Sequence, residues 1–419
     1  MGNDLIATRT VPPSRSADHV LVHRPGVERV VETELPTGLP VGPAVAALAR
    51  TASALRPGVP LLADVDFVRP LETTVVRLTG QVRDGAVDLA VRAGDSDLIR
   101  AQARFPRPDL PERPPTDALA LPPYPVEAGL AYRKTGARHA VADVETRDAV
   151  LRAIRCCIPD ATLVPLRIER LYPAARHTGP LVVDARERSQ DGDTHFFDVD
   201  LLDPAGAVVE RWEGLTVRAV RDRDPSAPWH PLLIGGYLER ALEKRLGGRR
   251  AIAVEPDPPV GDRRAQTDLA ASRALGRPVR VRHRPDGKPE IDGASITASH
   301  GAGVTMVAVG AGRLGCDVET VLDRDARTWA DLLGRAQVPV RDLVAAEAGE
   351  SAAAASTRVW SALECLRKTG SVTQALTVDR VEPGGWVVLS AGDSRIATWV
   401  TTIADLTAPV VFAVLSGEE

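Results

Sequence analysis

The chain has 419 residues, 44% of them hydrophobic and 26% charged, with a formal net charge of -4. That composition suits a globular protein with a sizeable core, and the length favours two domains over one. It excludes a general basic footprint for nucleic acid, and no apolar run is long enough to span a membrane. Residues 1–20 lack a signal-peptide core. The four cysteines are Cys156, Cys157, Cys316 and Cys365. They show no metal-ligand spacing and no disulfide framework, so a reducing cytoplasm is the expected compartment.

Residues 1–27 read as an irregular lead-in. The stretch 41–55 is rich in alanine, with Val45, Leu48 and Ala49 at helical spacing. Strand-like runs follow at 61–67, 74–82, 86–92 and 98–105, punctuated by Gly and Asp as in antiparallel hairpins. Residues 106–125 are proline-rich and read as a linker. A second round starts with a helix over 146–158. Strands at 162–171, 181–187, 194–202 and 208–220 come next, and turns at Gln190-Asp191-Gly192-Asp193 and Asp203-Pro204-Ala205-Gly206 join the later ones. After Arg221-Asp222-Arg223-Asp224-Pro225 the pattern changes. An amphipathic helix is expected over 232–246 and an arginine-rich one over 262–275.

The most informative residues lie further on. Leu314, Cys316 and Val318 alternate with Gly315, Asp317 and Glu319, which predicts a strand carrying Asp317 and Glu319 on one face. Trp360, Glu364 and Lys368 fall four apart and predict one side of a helix. Three carboxylates able to converge suit magnesium, a hard cation that takes oxygen ligands and shares them with substrate phosphates. Lys368, one turn beyond Glu364, can reach a phosphate. The pattern points to a pyrophosphate substrate.

Gly315-Cys316-Asp317-Val318-Glu319 and the Trp360–Lys368 segment resemble the two signature stretches of 4'-phosphopantetheinyl transferases. Gly287-Lys288-Pro289 is similar to a further element of that family, and so is Thr297-Ala298-Ser299-His300-Gly301. Four elements in the right order make the resemblance specific. It implies transfer of 4'-phosphopantetheine from coenzyme A to a serine of an acyl carrier protein, releasing 3',5'-ADP. It implies magnesium on Asp317, Glu319 and Glu364. Glu364 is also the implied base for the serine hydroxyl, and Lys368 the charge-neutralising or proton-donating partner. For coenzyme A it implies Lys288, Ser299 and His300. Arg263 or Arg264 is implied to hold the 3'-phosphate, with Arg282 and Arg284 as competitors. Trp360 is expected to act by packing alone, and Cys316 and Cys365 to be core residues.

The two helix-plus-sheet rounds resemble the double hotdog of polyketide synthase dehydratase domains. Gly38–Leu48 matches the start of its first helix, and Arg147-Asp148-Ala149 with Cys157-Ile158-Pro159 its second. Asp191-Gly192-Asp193-Thr194 and Val209-Glu210-Arg211-Trp212-Glu213-Gly214 match later strands. A dehydratase-like region followed by a transferase resembles the C-terminal end of enediyne-type iterative polyketide synthases. The expected fold is therefore α+β. A double hotdog over 28–225 precedes a pseudo-dimeric α/β transferase fold over 228–419.

Dehydratases of that family use a histidine base in H-x-x-x-G-x-x-x-x-P and an aspartate acid. Here the frame runs from Glu34 through Gly38 to Pro43, so Glu34 stands where the histidine belongs. His19 and His23 fall outside the frame. Asp148 is the aspartate candidate, with Arg152 four residues on. Glutamate is a weak base unless burial raises its pKa. A degenerate dehydratase half is therefore expected. The alternatives are a bifunctional protein with a live dehydratase, or a docking module of a polyketide synthase. The expected partners are a carrier domain and coenzyme A, with neither nucleic acid nor membrane.

Overall fold

The computed structural model describes residues 18–38, 41–110, 124–127, 130–136, 138–144, 147–174, 179–221, 223–224, 227–258, 261–371 and 375–417. The chain starts with strands β1 (His19–Arg24) and β2 (Glu28–Glu34), then helix α1 (Val41–Leu55). Strands β3 (Leu61–Phe67), β4 (Val75–Arg83), β5 (Ala86–Ala93) and β6 (Ser96–Arg104) follow. Next come β7 (Tyr124–Glu127), β8 (Leu130–Lys134), β9 (His139–Val144), a 3-10 turn over Arg147–Ala149 and helix α2 (Val150–Ile154). Strands β10 (Thr162–Tyr172), β11 (Leu181–Asp191), β12 (Thr194–Leu202) and β13 (Val208–Val220) close this stretch.

Two compact units divide the chain differently from a single cut near 225. The first comprises Met1–Pro111, Val164–Thr178 and Val208–Arg218; the second comprises Glu112–Leu163, Gly179–Ala207 and Ala219–Glu419. In the first, strands run in the order β1-β2-β4-β5-β6-β3-β10-β13, and α1 packs against β2, β4, β5 and β6. The alternation of small and branched apolar residues along α1 buries Val41, Ala44, Val45, Ala47, Leu48, Ala52 and Leu55 against those strands. A helix laid on an antiparallel sheet is the hotdog-like arrangement expected here. The lead-in needs correcting: β1 lies inside it and pairs with β2 from His19↔Glu32 to Arg24↔Glu28.

In the second unit, strands β12-β11-β9-β8-β7 are neighbours, and α2 packs on β9 and β11. The helix expected over 146–158 is shorter. It occupies Val150–Ile154 after the 3-10 turn, and Cys156, Cys157 and Ile158 are buried in turns beyond it. Pro159 disfavours helical backbone at Ile158, which works against the expected end at 158. Most of the proline-rich stretch lies outside the described residues, as does Thr146.

The same unit continues into α3 (Pro231–Leu246), β14 (Ala251–Pro256), α4 (Arg263–Leu275) and the short pair β15 (Arg282–His283) and β16 (Pro289–Glu290). Then come β17 (Ser295–Gly301), β18 (Val304–Gly310), β19 (Arg313–Thr320), α5 (Ala326–Leu333), α6 (Val338–Ala348) and α7 (Ala352–Thr369). Strands β20 (Thr377–Glu382), β21 (Trp386–Ala391), β22 (Ser394–Thr401) and β23 (Val410–Gly417) end it. They form two antiparallel sheets, β14-β18-β17 and β19-β23-β22-β21-β20. One core joins them: Ile234, Leu238 and Leu242 of α3 meet Met306, Cys316, Val318, Trp386, Trp399 and Phe412. A second core lies under α7, from Ala355, Val359, Ala362 and Leu366 to Val387, Leu389 and Leu415.

Helix α3 also holds the β11–β12 hairpin. Arg240 contacts the Cys157 carbonyl, the Glu187 carboxylate and, at 3.0 Å, Gln190. Glu187 in turn accepts from or faces His195 Nδ1 at 3.0 Å, and both side chains are fully removed from solvent. Burial pushes the Glu187 carboxyl up, but the bonds from His195 and Arg240 outweigh it and hold it below the usual range. Its contribution to stability is therefore present at neutral pH and is lost as pH falls through that lowered range. Arg240→Ala leaves a buried carboxylate without its cation. It is expected to destabilise the protein by about 3–5 kcal/mol, read by urea or thermal unfolding. Pairing it with Glu187→Gln should recover a large part of the loss.

Candidate functional site

Strand β19 and helix α7 carry the site, and glycine sets their separation. A Cβ at Gly315 would lie 2.6 Å from the carbonyl oxygen of Cys365 on α7. A Cβ at Gly301 would lie 2.3 Å from the carbonyl oxygen of Val318 on β19. Backbone therefore meets backbone at both points, and only glycine leaves the room. The two approaches bring the end of β17, the middle of β19 and the last turns of α7 together.

Side-chain hydroxyls fasten β17 to β19, which belong to different sheets. Thr297 Oγ1 accepts from the Cys316 amide at 3.2 Å, and Ser299 Oγ accepts from the Val318 amide at 3.3 Å. Ser299 also donates to Asp317 Oδ1 at 3.0 Å. Lys368 donates to the same oxygen at 3.0 Å and to the Cys316 carbonyl at 2.7 Å. Asp317 is 4% exposed, and its Oδ2 is buried with no hydrogen-bond partner. Burial opposes charge on Lys368, but the groups around it, Asp317 among them, hold its pKa above the ordinary value. It stays an ammonium at neutral pH.

Glu319 projects to the same side as Asp317 and accepts a hydrogen bond from Trp360 Nε1 at 3.4 Å. Burial raises its carboxyl pKa, and the neighbouring charges of Asp317 and Glu364 raise it further. Glu364 pairs with Arg367, and Arg367 also lies over the Trp360 ring at 4.8 Å. The i,i+4 pair between Glu364 and Lys368 does not form, because Lys368 turns to β19. Among the described residues no group of three or more His, Cys, Asp and Glu side chains stands in metal-binding geometry. Asp317, Glu319 and Glu364 are close enough to repel, and each is engaged by a different donor. Lys368 offsets the Asp317 charge, while Asp317 Oδ2 keeps no hydrogen-bond partner and the Glu319 carboxyl is raised by its neighbours.

His300 follows Ser299 on β17. Its Nδ1 faces Thr305 Oγ1 at 2.7 Å and its Nε2 faces Thr267 Oγ1 at 3.2 Å. Arg263 and Arg264 are exposed in the first turn of α4, which Asp262 caps by accepting from the Arg264 amide at 2.9 Å. Of the two, Arg263 is near enough to bear on the His300 charge. Lys288 stands elsewhere. The Asp286-Gly287 turn, with Gly287 at φ 84°, places it exposed on the rim of a cavity of about 460 Å³. Arg282, Arg284 and Arg313 also line that cavity, with Glu290 as a lining carboxylate. Arg313 was not singled out from the sequence. Trp360 is more than packing, since its N–H serves Glu319. Thr297 was read only as part of its motif and Thr305, on β18, was not singled out; the hydroxyls alternating along β17 were a visible signal for the first.

The family described as polyketide synthase dehydratase N-terminal domain matches residues 145–227. No curated protein matches the chain. Solved structures similar to it include a dehydratase domain of a mycocerosic acid synthase-like polyketide synthase. That structure is 19% identical, with TM-score 0.41, over 51% of this chain and 99% of that one. The GphF dehydratase 1 is 17% identical, with TM-score 0.39, over 48% and 97%. The dehydratase domain of RzxB from Pseudomonas fluorescens is 13% identical, with TM-score 0.40, over 48% and 97%. Among the described residues no helix is long and apolar enough to cross a membrane.

Gly315→Ala forces α7 away from β19. It is expected to destabilise the protein by about 1–3 kcal/mol and to break the Lys368–Asp317 contact. Unfolding curves and the amine signal of Lys368 in nuclear magnetic resonance read the two effects separately. Unchanged stability and an unchanged Lys368 signal would show that the close approach is not needed.

Proposed function

We propose that the chain transfers 4'-phosphopantetheine from coenzyme A to a serine of an acyl carrier domain, alongside a dehydratase-like region that serves as scaffold. The observation that carries this reading is the meeting of Asp317, Glu319, Glu364 and Lys368 from β19 and α7, with one buried Asp317 oxygen unpartnered. The four resemble the transferase family's site residue by residue. The carrier is read as part of an enediyne-type polyketide synthase on the order of the two regions, dehydratase-like and then transferase-like.

In this reading Asp317, Glu319 and Glu364 would hold magnesium, which would supply positive charge to neutralise the pyrophosphate. The chain's own groups do the rest. Glu364 takes the proton of the attacking serine hydroxyl once released from Arg367. Lys368 supplies fixed positive charge beside the phosphoryl oxygens or a proton to the leaving phosphate. Ser299 orients Asp317, and Trp360 orients Glu319 through its indole N–H. The cavity with Arg282, Arg284, Lys288 and Arg313 offers cations to the nucleotide part.

A second reading, a bifunctional protein with a live dehydratase, has support of its own in the dehydratase family match over residues 145–227. Its candidates are Glu34, exposed at the end of β2, and Asp148, in the 3-10 turn after β9. A glutamate in place of the histidine base disfavours it. Loss of water from a 3-hydroxyacyl carrier thioester, abolished by Asp148→Asn, would establish it.

Mass spectrometry of an apo carrier incubated with the protein, coenzyme A and magnesium tests the leading reading. One added phosphopantetheine is expected. Asp317→Ala or Glu364→Ala should lower the rate by at least on the order of 100-fold with an intact fold. Trp360→Phe keeps the ring but removes the donor to Glu319, and should raise the magnesium requirement by about 10-fold. Full activity of the Asp317 or Glu364 variant would overturn the assignment.

A further inference from the structure

On the reading of this cluster as a coenzyme A site, we infer that His300 takes up a proton when a ligand phosphate settles beside Arg263, the imidazolium being held between two hydroxyl relays. One relay runs from His300 Nδ1 through Thr305 to Asp257. The other runs from Nε2 through Thr267 to the Arg263 carbonyl.

A count of protons leads there. Thr305 is fully buried and donates its hydroxyl proton to Asp257 Oδ1 at 2.6 Å. A hydroxyl has one proton to give, so at 2.7 Å Nδ1 must be the donor and Thr305 the acceptor. A neutral ring then has no proton left for Nε2, which faces Thr267 Oγ1 at 3.2 Å and accepts from it when that hydroxyl turns away from the Arg263 carbonyl. Thr267 has a second outlet, the Arg263 carbonyl at 2.9 Å. If the ring gains a proton from solvent, Nε2 becomes a donor to Thr267, whose own proton swings to that carbonyl. Every group stays paired in both states, and they differ by one ring proton and the rotation of one hydroxyl.

The charges around the ring decide which state prevails. Burial pushes the His300 pKa below its ordinary value, and Arg263, Lys368 and His283 lower it too, while Asp257 pulls it up. In the free protein at neutral pH the ring is therefore neutral. A phosphate beside Arg263 offsets that cation and adds attraction of its own, so the pKa of His300 rises in the complex. Between the two pKa values binding takes up a proton, and affinity falls as pH rises through the higher one. Asp257 and Thr305 act through His300 and are positioning residues.

The probe is 3',5'-ADP, which carries two monophosphates and no pyrophosphate. Titration calorimetry on the full chain at about pH 7.5, in buffers of different ionisation enthalpy, counts the protons. Wild type should take up close to one proton per nucleotide. Thr305→Val and Asp257→Asn should lose at least half of that uptake, and Thr305→Ser should restore it. Asp257 is exposed, so its variant stays informative if Thr305→Val folds poorly. Nitrogen shifts of the free protein should show His300 protonated at Nδ1. Binding without proton uptake, equal uptake in the Asp257→Asn variant, or an Nε2-protonated ring would each overturn the relay while leaving the coenzyme A site standing. Failure of both 3',5'-ADP and coenzyme A to bind would overturn the site and the relay together.

Discussion

Two backbone approaches, Gly315 against α7 and Gly301 against β19, set the geometry on which the candidate site depends. Neither glycine is needed for a left-handed backbone. Each is needed because a carbonyl oxygen of the neighbouring element occupies the space a Cβ would take. Helix α7 could pack on a sheet with any small residue, but Lys368 would then fall short of Asp317. Burial of Ala355, Ala362 and Cys365 on the inner side of α7 keeps the helix thin where it crosses β19.

The polar part of the site follows from that spacing. Once β17 lies this close to β19, amides of β19 outside its own ladder need acceptors, and Thr297 and Ser299 supply them. Asp317 is then enclosed with one oxygen satisfied twice and the other not at all. A buried oxygen without a partner is costly, and here the cost falls next to two further carboxylates.

The second unit unites stretches that sequence periodicity places in different domains. Arg240 of α3 and Glu187 of β11 share a pair whose carboxylate side is dry, and Gly276 at the end of α4 meets the Thr135 carbonyl where a Cβ would clash. Within this unit the strands β9, β11 and β12 and the C-terminal sheets thus support each other through α3 and α4.

Periodicity made α1, β3, β12, β13, α3 and α4 legible nearly to the residue, because each has one apolar face and clear turn or cap residues. The spacing of Asp317, Glu319, Glu364 and Lys368 likewise fixed which side chains share a face, since strand and helix periods are local. Strands β1 and β2 were missed because their residues are half exposed and weakly alternating. The true length of α2 was missed because a helix of a few residues leaves little periodic signal. Sequence alone determined the element type where the period was strong, and the chemical kind of each candidate group. Only the tertiary structure decided that Lys368 turns to Asp317 rather than Glu364, that Trp360 holds Glu319, and that Lys288 lines a cavity whose walls do not include His300. Those outcomes depend on distances between elements far apart in the chain, and no local period encodes them.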